Sequence, residues 1–294
     1  MTEEEKNPQT NPYPEAPGLD LSKVKNLEAN QIAGNDVKFI KEKALKEKKS
    51  KFNFTEEHEI ELPTKGYLYQ DSTDEDIKRG IVRLRPMSLA DEEIIANQSY
   101  IRNNTVFIHL LNSCILNDFD ARELVSYDVF YLIYALRQIT YGEDYEFEIT
   151  CPECEKKYDF SLVLNEVEFQ QLDGNETPEK SIKLPVSKYT VDMRCSRLKD
   201  GEEIYKLSKN TDASDNILNY VVRTNRILTN DGEEVDKKDY TEFFEAIPGK
   251  DRAEITKAFK NIEGLKIPKA SCVCPKCGYE HRVSIPFDSQ FFRY

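Results

Sequence analysis

The sequence predicts an α+β chain: a helical and short-strand N-terminal half joined to a cysteine ribbon that is split by an inserted α/β segment. Three observations predict it. Two Cys-x-x-Cys knuckles, Cys151-Pro152-Glu153-Cys154 and Cys274-Pro275-Lys276-Cys277, stand far apart in the chain. Period-two alternation flanks both of them, as strands do. Helical spacing fills the stretch before the first knuckle and most of the stretch between the two.

Residues 1–52 read as a disordered or extended arm. Met1 to Pro17 is rich in proline and acidic side chains and has too little apolar surface to fold alone. Lys41-Glu42-Lys43-Ala44-Leu45-Lys46-Glu47-Lys48-Lys49 is a basic, helix-prone run. It reads as a solvated helix or linker, with ordering on a partner subunit as the alternative.

Residues 53–172 read as a strand and helix domain that ends in the first half of the ribbon. Ile60-Glu61-Leu62-Pro63-Thr64-Lys65-Gly66 is a short strand followed by a Pro/Gly turn, and Ile81-Val82-Arg83-Leu84-Arg85-Pro86 is a second strand. Ser88 caps a helix from Leu89, with Asp91, Glu92 and Glu93 at its positive end. Phe107, Leu110, Leu111, Cys114 and Ile115 make a second helical stripe, with His109 as a packing residue beside it. Ser126 caps the clearest helix, whose stripe is Val129, Leu132, Ile133, Leu136 and Ile139, and Gly142 ends it. Arg137 either pairs with an acid or faces solvent.

Residues 173–268 read as the insertion: a hairpin over 182–194, then helices over 201–209, 214–229, 239–245 and 251–261. Asp251 caps the last of these and Gly264 stops it. Residues 269–294 carry the second half of the ribbon. Phe291-Phe292-Arg293-Tyr294 closes the chain as a core strand or as an exposed docking peptide. Beyond the knuckles, no internal repeat of fixed period is visible.

The knuckles carry the chemistry. One Cys-x-x-Cys turn supplies two sulfurs, half the shell of a tetrahedral Zn²⁺, and two turns close a four-thiolate structural site of Cys151, Cys154, Cys274 and Cys277. Proline fixes φ inside each turn, and Gly278 supplies a positive φ for tight closure. Cys272 and His281 are possible substitute ligands that the symmetric set does not need. Cys114 and Cys195 read as core residues. Four reduced thiols packed as small hydrophobes, or two redox pairs, are the competing readings; a redox site usually has one such pair opening a helix, and neither knuckle opens one.

Composition narrows the function. Net charge is −13, which disfavours a general nucleic-acid surface. No apolar run approaches a membrane span, and seven cysteines fit folding in a reducing cytoplasm. With 16 Tyr, 15 Phe and no Trp, the chain is well supplied with interface anchors. It carries no phosphate loop, dinucleotide fingerprint or nucleophile elbow, and its three histidines lie outside protease spacing. A non-enzymatic chain with no small-molecule substrate is expected. The alternative is a zinc-ribbon nucleic-acid-binding or transcription-associated protein, with Lys156, Lys157, Lys276 and Arg282 near the knuckles.

Leu62-Pro63-Thr64-Lys65-Gly66 with Tyr69 resembles the opening signature of the baseplate hub proteins of T-even-type contractile-tail phages. Val82-Arg83-Leu84-Arg85-Pro86-Met87-Ser88 with Glu92-Glu93 is similar to that family's next block. Leu136-Arg137, then Tyr141-Gly142-Glu143-Asp144-Tyr145 running into the first knuckle, is similar too. The resemblance covers residues 59–170, then the second knuckle and Phe291-Phe292. It implies a tail protein made in the host cytoplasm and placed in the virion baseplate, forming or assembling the central hub with other tail subunits. Only the four knuckle cysteines carry over, as zinc ligands.

Overall fold

The computed structural model describes residues 56–174, 176–286 and 291–292; the predicted arm, 1–52, lies outside them. The fold is a mixture of helices and small antiparallel sheets. β1 (His58–Glu61) pairs with β2 (Ile81–Leu84), Ile60 opposite Val82. Pro63, with no N–H for a ladder, comes just after β1 ends. The connection passes through a 3-10 turn (Tyr67–Tyr69) and α1 (Glu75–Lys78). Gly66 and Gly80 meet backbone to backbone there, with φ of 72° and 81°. A β-carbon on Gly66 would lie 2.4 Å from the Lys78 carbonyl oxygen, so only glycine fits.

β2 hands the chain to α2 (Leu89–Ala96) through a buried ion pair. Ser88 and Asp91 form a capping box. Arg85 Nη1 and Nη2 donate to Asp91 Oδ2 and Oδ1 at 2.7 and 3.1 Å, and the Ser113 hydroxyl donates to Oδ1 at 2.6 Å. The sequence assigns Asp91 to the helix dipole; its buried partner is the larger effect. α3 (Gln98–Arg102) and α4 (Val106–Cys114) follow, and Ile115 then bridges to Leu84. His109 is buried with its ring stacked on Tyr100, the packing role expected of it.

α5 (Ser126–Tyr141) buries the predicted residues Val129, Leu132, Ile133 and Leu136. A fully buried Leu or Ile contributes roughly 1.5–3 kcal/mol. Ser126 is the first helical residue, not the cap; Val125 stands in that place. The helix start is organised instead by the Leu-Pro turn. The Thr64 and Tyr69 hydroxyls each donate to Asp128 Oδ2 at 2.6 Å, and the Val125 amide donates to the Tyr69 oxygen at 3.0 Å. Arg137 takes neither expected role. It is buried, donates to the Gly142 and Asp144 carbonyls, and lies over the Tyr141 and Tyr145 rings.

β3 (Asp144–Thr150) and β4 (Lys157–Val163) form the first knuckle's hairpin. β5 (Glu179–Lys183) and β6 (Thr190–Arg194) form the expected second hairpin. α6 (Lys199–Leu207) and α7 (Asp215–Arg223) come next. The helix predicted over 214–229 stops at Arg223, because β7 (Thr224–Leu228) pairs with β6, Ile227 opposite Val191. Thr224 and Ile227 are β-branched, and Ile227 fills the sheet core fully buried. α8 (Tyr240–Ala246), α9 (Gly249–Ala258) and α10 (Lys260–Glu263) lead to β8 (Lys269–Val273) and β9 (Glu280–Ser284).

Asp251 is the third residue of α9, not its cap. Its carboxylate accepts from the Val186 and Ser187 amides at 2.7 and 2.8 Å. Phe291 and Phe292 are buried, Phe291 edge-on to Tyr145, so the packed reading holds for this pair. Arg293 and Tyr294 lie outside the described residues. No described helix is long and apolar enough to cross a membrane.

Candidate metal centre

Each knuckle is a tight turn between paired strands, and the two turns are built alike. The Cys151 amide donates to the Lys156 carbonyl and the Glu155 amide to the Cys151 carbonyl, both at 2.9 Å. In the second turn the Cys274 amide donates to Tyr279 at 3.0 Å and the Gly278 amide to Cys274 at 2.9 Å. The fifth residue has positive φ in both, 57° at Glu155 and 75° at Gly278. Gly278 was legible as the turning residue. Glu155 was not, although aligning the two knuckles puts it in the same place.

The sulfurs of Cys151, Cys154, Cys274 and Cys277 all lie within 4.8 Å of one another. Cys151 Sγ is 3.7 Å from Cys277 Sγ, and Cys154 Sγ is 3.8 Å from Cys274 Sγ. A disulfide would need about 2.05 Å. A tetrahedron of sulfurs about 2.3 Å from a central Zn²⁺ has edges of about 3.8 Å. The observed spacing therefore fits four ligands around one ion. Cys151 and Cys274 are buried, Cys154 is half-buried and Cys277 is exposed.

The thiols act on one another. Desolvation disfavours the Cys274 thiolate, but the Lys276 and Cys277 amides bring it down to about 7. At Cys277 the Tyr279 amide acts the same way, yet desolvation and the three neighbouring sulfurs push the thiol up to about 12. One thiolate suppresses the next, and a divalent cation at the centre would reverse that relation.

The two substitute ligands stay outside the cluster. Cys272 is buried and its Sγ lies 3.4 Å from the His281 carbonyl. The His281 ring stacks beside Tyr279, with centroids 5.8 Å apart. Cys114 and Cys195 are fully buried, as expected of core residues. Lys157, one of the lysines near the knuckles, is paired with Glu148 across the hairpin at 2.6 Å.

The profile of the family described as "T4 bacteriophage base plate protein" matches residues 41–293. The chain belongs to this family. The match reaches both sides of the segment on which the resemblance rests, and takes in the whole of 173–268. Membership brings with it a place in the phage tail and contacts with other tail components. No curated protein and no solved structure matches the chain.

Proposed function

We propose that this baseplate protein is a non-enzymatic part, or assembly factor, of the central hub, and that Cys151, Cys154, Cys274 and Cys277 hold a structural Zn²⁺. The observation that carries the metal reading is the tetrahedral spacing of four sulfurs drawn from two distant hairpins. Four protein sulfurs fill the shell and leave no open position for a reacting water. The ion's task is then to clamp, and structural zinc is worth about 10–16 kcal/mol. The net charge of −13 fits a surface that binds neighbouring subunits and repels DNA while the tail is built.

Zinc analysis of the purified full chain tests the site. One equivalent is expected in the wild type and none in the Cys151→Ser/Cys274→Ser variant; one equivalent retained by the variant would sink the ligand set. Quantitative mass spectrometry of virions against the crude lysate tests the place in the tail. A fixed copy number in particles indicates a hub component. Abundance confined to the lysate indicates an assembly factor.

A further inference from the structure

The chain after β4 repeats the order of the main strands and helices that run from β1 to β4. β1 runs through Ile60 to Leu62-Pro63, and β5 runs through Ile182 to Leu184-Pro185. Ile60 stands opposite Val82, and Ile182 opposite Val191. Leu62, Val82 and Leu84 are fully buried, as are Leu184, Val191 and Met193. At the end of the second strand, Arg85 grips Asp91 and Arg194 grips Asp200, each bidentate and with the same spacing along the chain. Helices then return the chain to the same strand, Ile115 at Leu84 and Thr224 at Met193.

The correspondence runs on to the knuckles. Asp128 is the third residue of α5 and Asp251 the third of α9. Both are fully buried, and both bind the residues that follow the Leu-Pro pair: Thr64 in one case, Val186 and Ser187 in the other. The same chain distance leads from Asp128 to Cys151 as from Asp251 to Cys274. The hairpins keep one register: Ile149 opposite Tyr158 and Phe147 opposite Phe160, against Cys272 opposite His281 and Ala270 opposite Val283.

We propose that the chain is an internal duplication, in which residues 58–163 and 179–284 are two copies of one folding unit, each carrying half of the four-sulfur site. The partner that each half-site fits is a second copy of the same unit. The identity of the bound ion rests on the reading above; the duplication does not. The sulfur contacts are reciprocal, first cysteine to second and second to first, as at an interface between like surfaces. The counterparts Tyr158 and His281 also meet edge-on beside the knuckles, but away from these hairpins the units touch through unlike residues. The Leu198 amide docks on the Leu124 carbonyl at 2.8 Å, while its counterpart Leu89 is 76% exposed. Duplication takes the place of an insertion at 173–268, because β8 and β9 then complete the second unit.

Hydrogen exchange of the full chain in mild denaturant, with and without chelator, decides between the two. If the duplication holds, β8 and β9 open together with β5, β6 and α9, and β3 and β4 open with β1, β2 and α5. Asp200→Ala speeds exchange about a hundredfold or more in 179–284 and leaves 58–163 within about twofold, while Asp91→Ala does the reverse. Opening of β8 and β9 with β3 and β4, while β5 and β6 stay closed, overturns the proposal. So does one common opening of all the strands. If a variant does not fold, the wild-type grouping decides. Zinc content measured on the same sample keeps the two readings apart, since a metal-free chain with the expected grouping sinks the zinc site alone.

Discussion

Asp128 and Asp251 hold the same position on their helices and are both sealed from solvent, yet their surroundings drive them in opposite directions. Burial raises Asp128 to about 6 against the Thr64 and Tyr69 hydroxyls, the Thr64 amide and the more distant Arg197 charge; both hydroxyls sit on Oδ2, and Oδ1 has no hydrogen-bond partner among the described residues. Burial acts on Asp251 as well, but the Val186 and Ser187 amides, one on each oxygen, hold it below the ordinary carboxylate range. A backbone amide can only donate, and it stays aimed when the carboxyl ionises. What decides a buried acid's charge is which donors reach both of its oxygens.

The change with the largest expected effect strikes both halves at once. Cys151→Ser with Cys274→Ser removes one proposed zinc ligand from each hairpin, and loss of roughly 10 kcal/mol is expected if zinc clamps them, seen as a collapsed thermal transition. Next come the paired ion-pair variants. Asp91→Ala and Asp200→Ala each leave a guanidinium buried and should each cost about 3–5 kcal/mol in denaturant unfolding. Unequal costs would break the equivalence of the halves.

The two aspartates sharpen the comparison through pH. Raised to about 6, Asp128 makes a contribution that is complete below about pH 4 and lost as the pH climbs through 6. Asp128→Asn keeps an oxygen for Thr64 and Tyr69 and has no such loss. It should gain on the wild type by roughly 3 kcal/mol between about pH 4 and pH 7. Asp251 is lowered, so its contribution is present at neutral pH and lost as the pH falls through its folded value. Asp251→Asn should therefore be costliest at neutral pH, with a deficit that shrinks below about pH 4. Urea midpoints across this range read both; parallel curves would refute the contrast. The smallest effect is Glu155→Gly, which gives the first knuckle the residue of the second and should add about 1 kcal/mol to thermal stability.

Much of this was legible where the signal is local. The knuckles, the α5 stripe and its end at Gly142 depend on residues close in sequence, and the structure keeps all three. The partners of Asp128, Asp251 and Arg137 were not legible, because they are chosen by packing between distant segments. β7 was read as helix because its strand character depends on pairing with β6. The repeat escaped for a different reason. The link from β1 to β2 carries a 3-10 turn, α1 and the Gly66–Gly80 contact, whereas Leu184 and β6 are joined by a short turn. Unequal links leave no fixed period to find.

The separation of the knuckles also puts a clock into synthesis. Cys154 and Cys274 are 120 residues apart. At about 5–20 residues per second, the first thiol pair waits roughly 6–24 s on the ribosome before the second emerges. A chain that stalls in that interval holds only half of the proposed zinc shell and has no second pair with which to close it. Closure of the site thus reports that translation has passed Cys277, and thiol reactivity gives a direct measure of which nascent chains have done so.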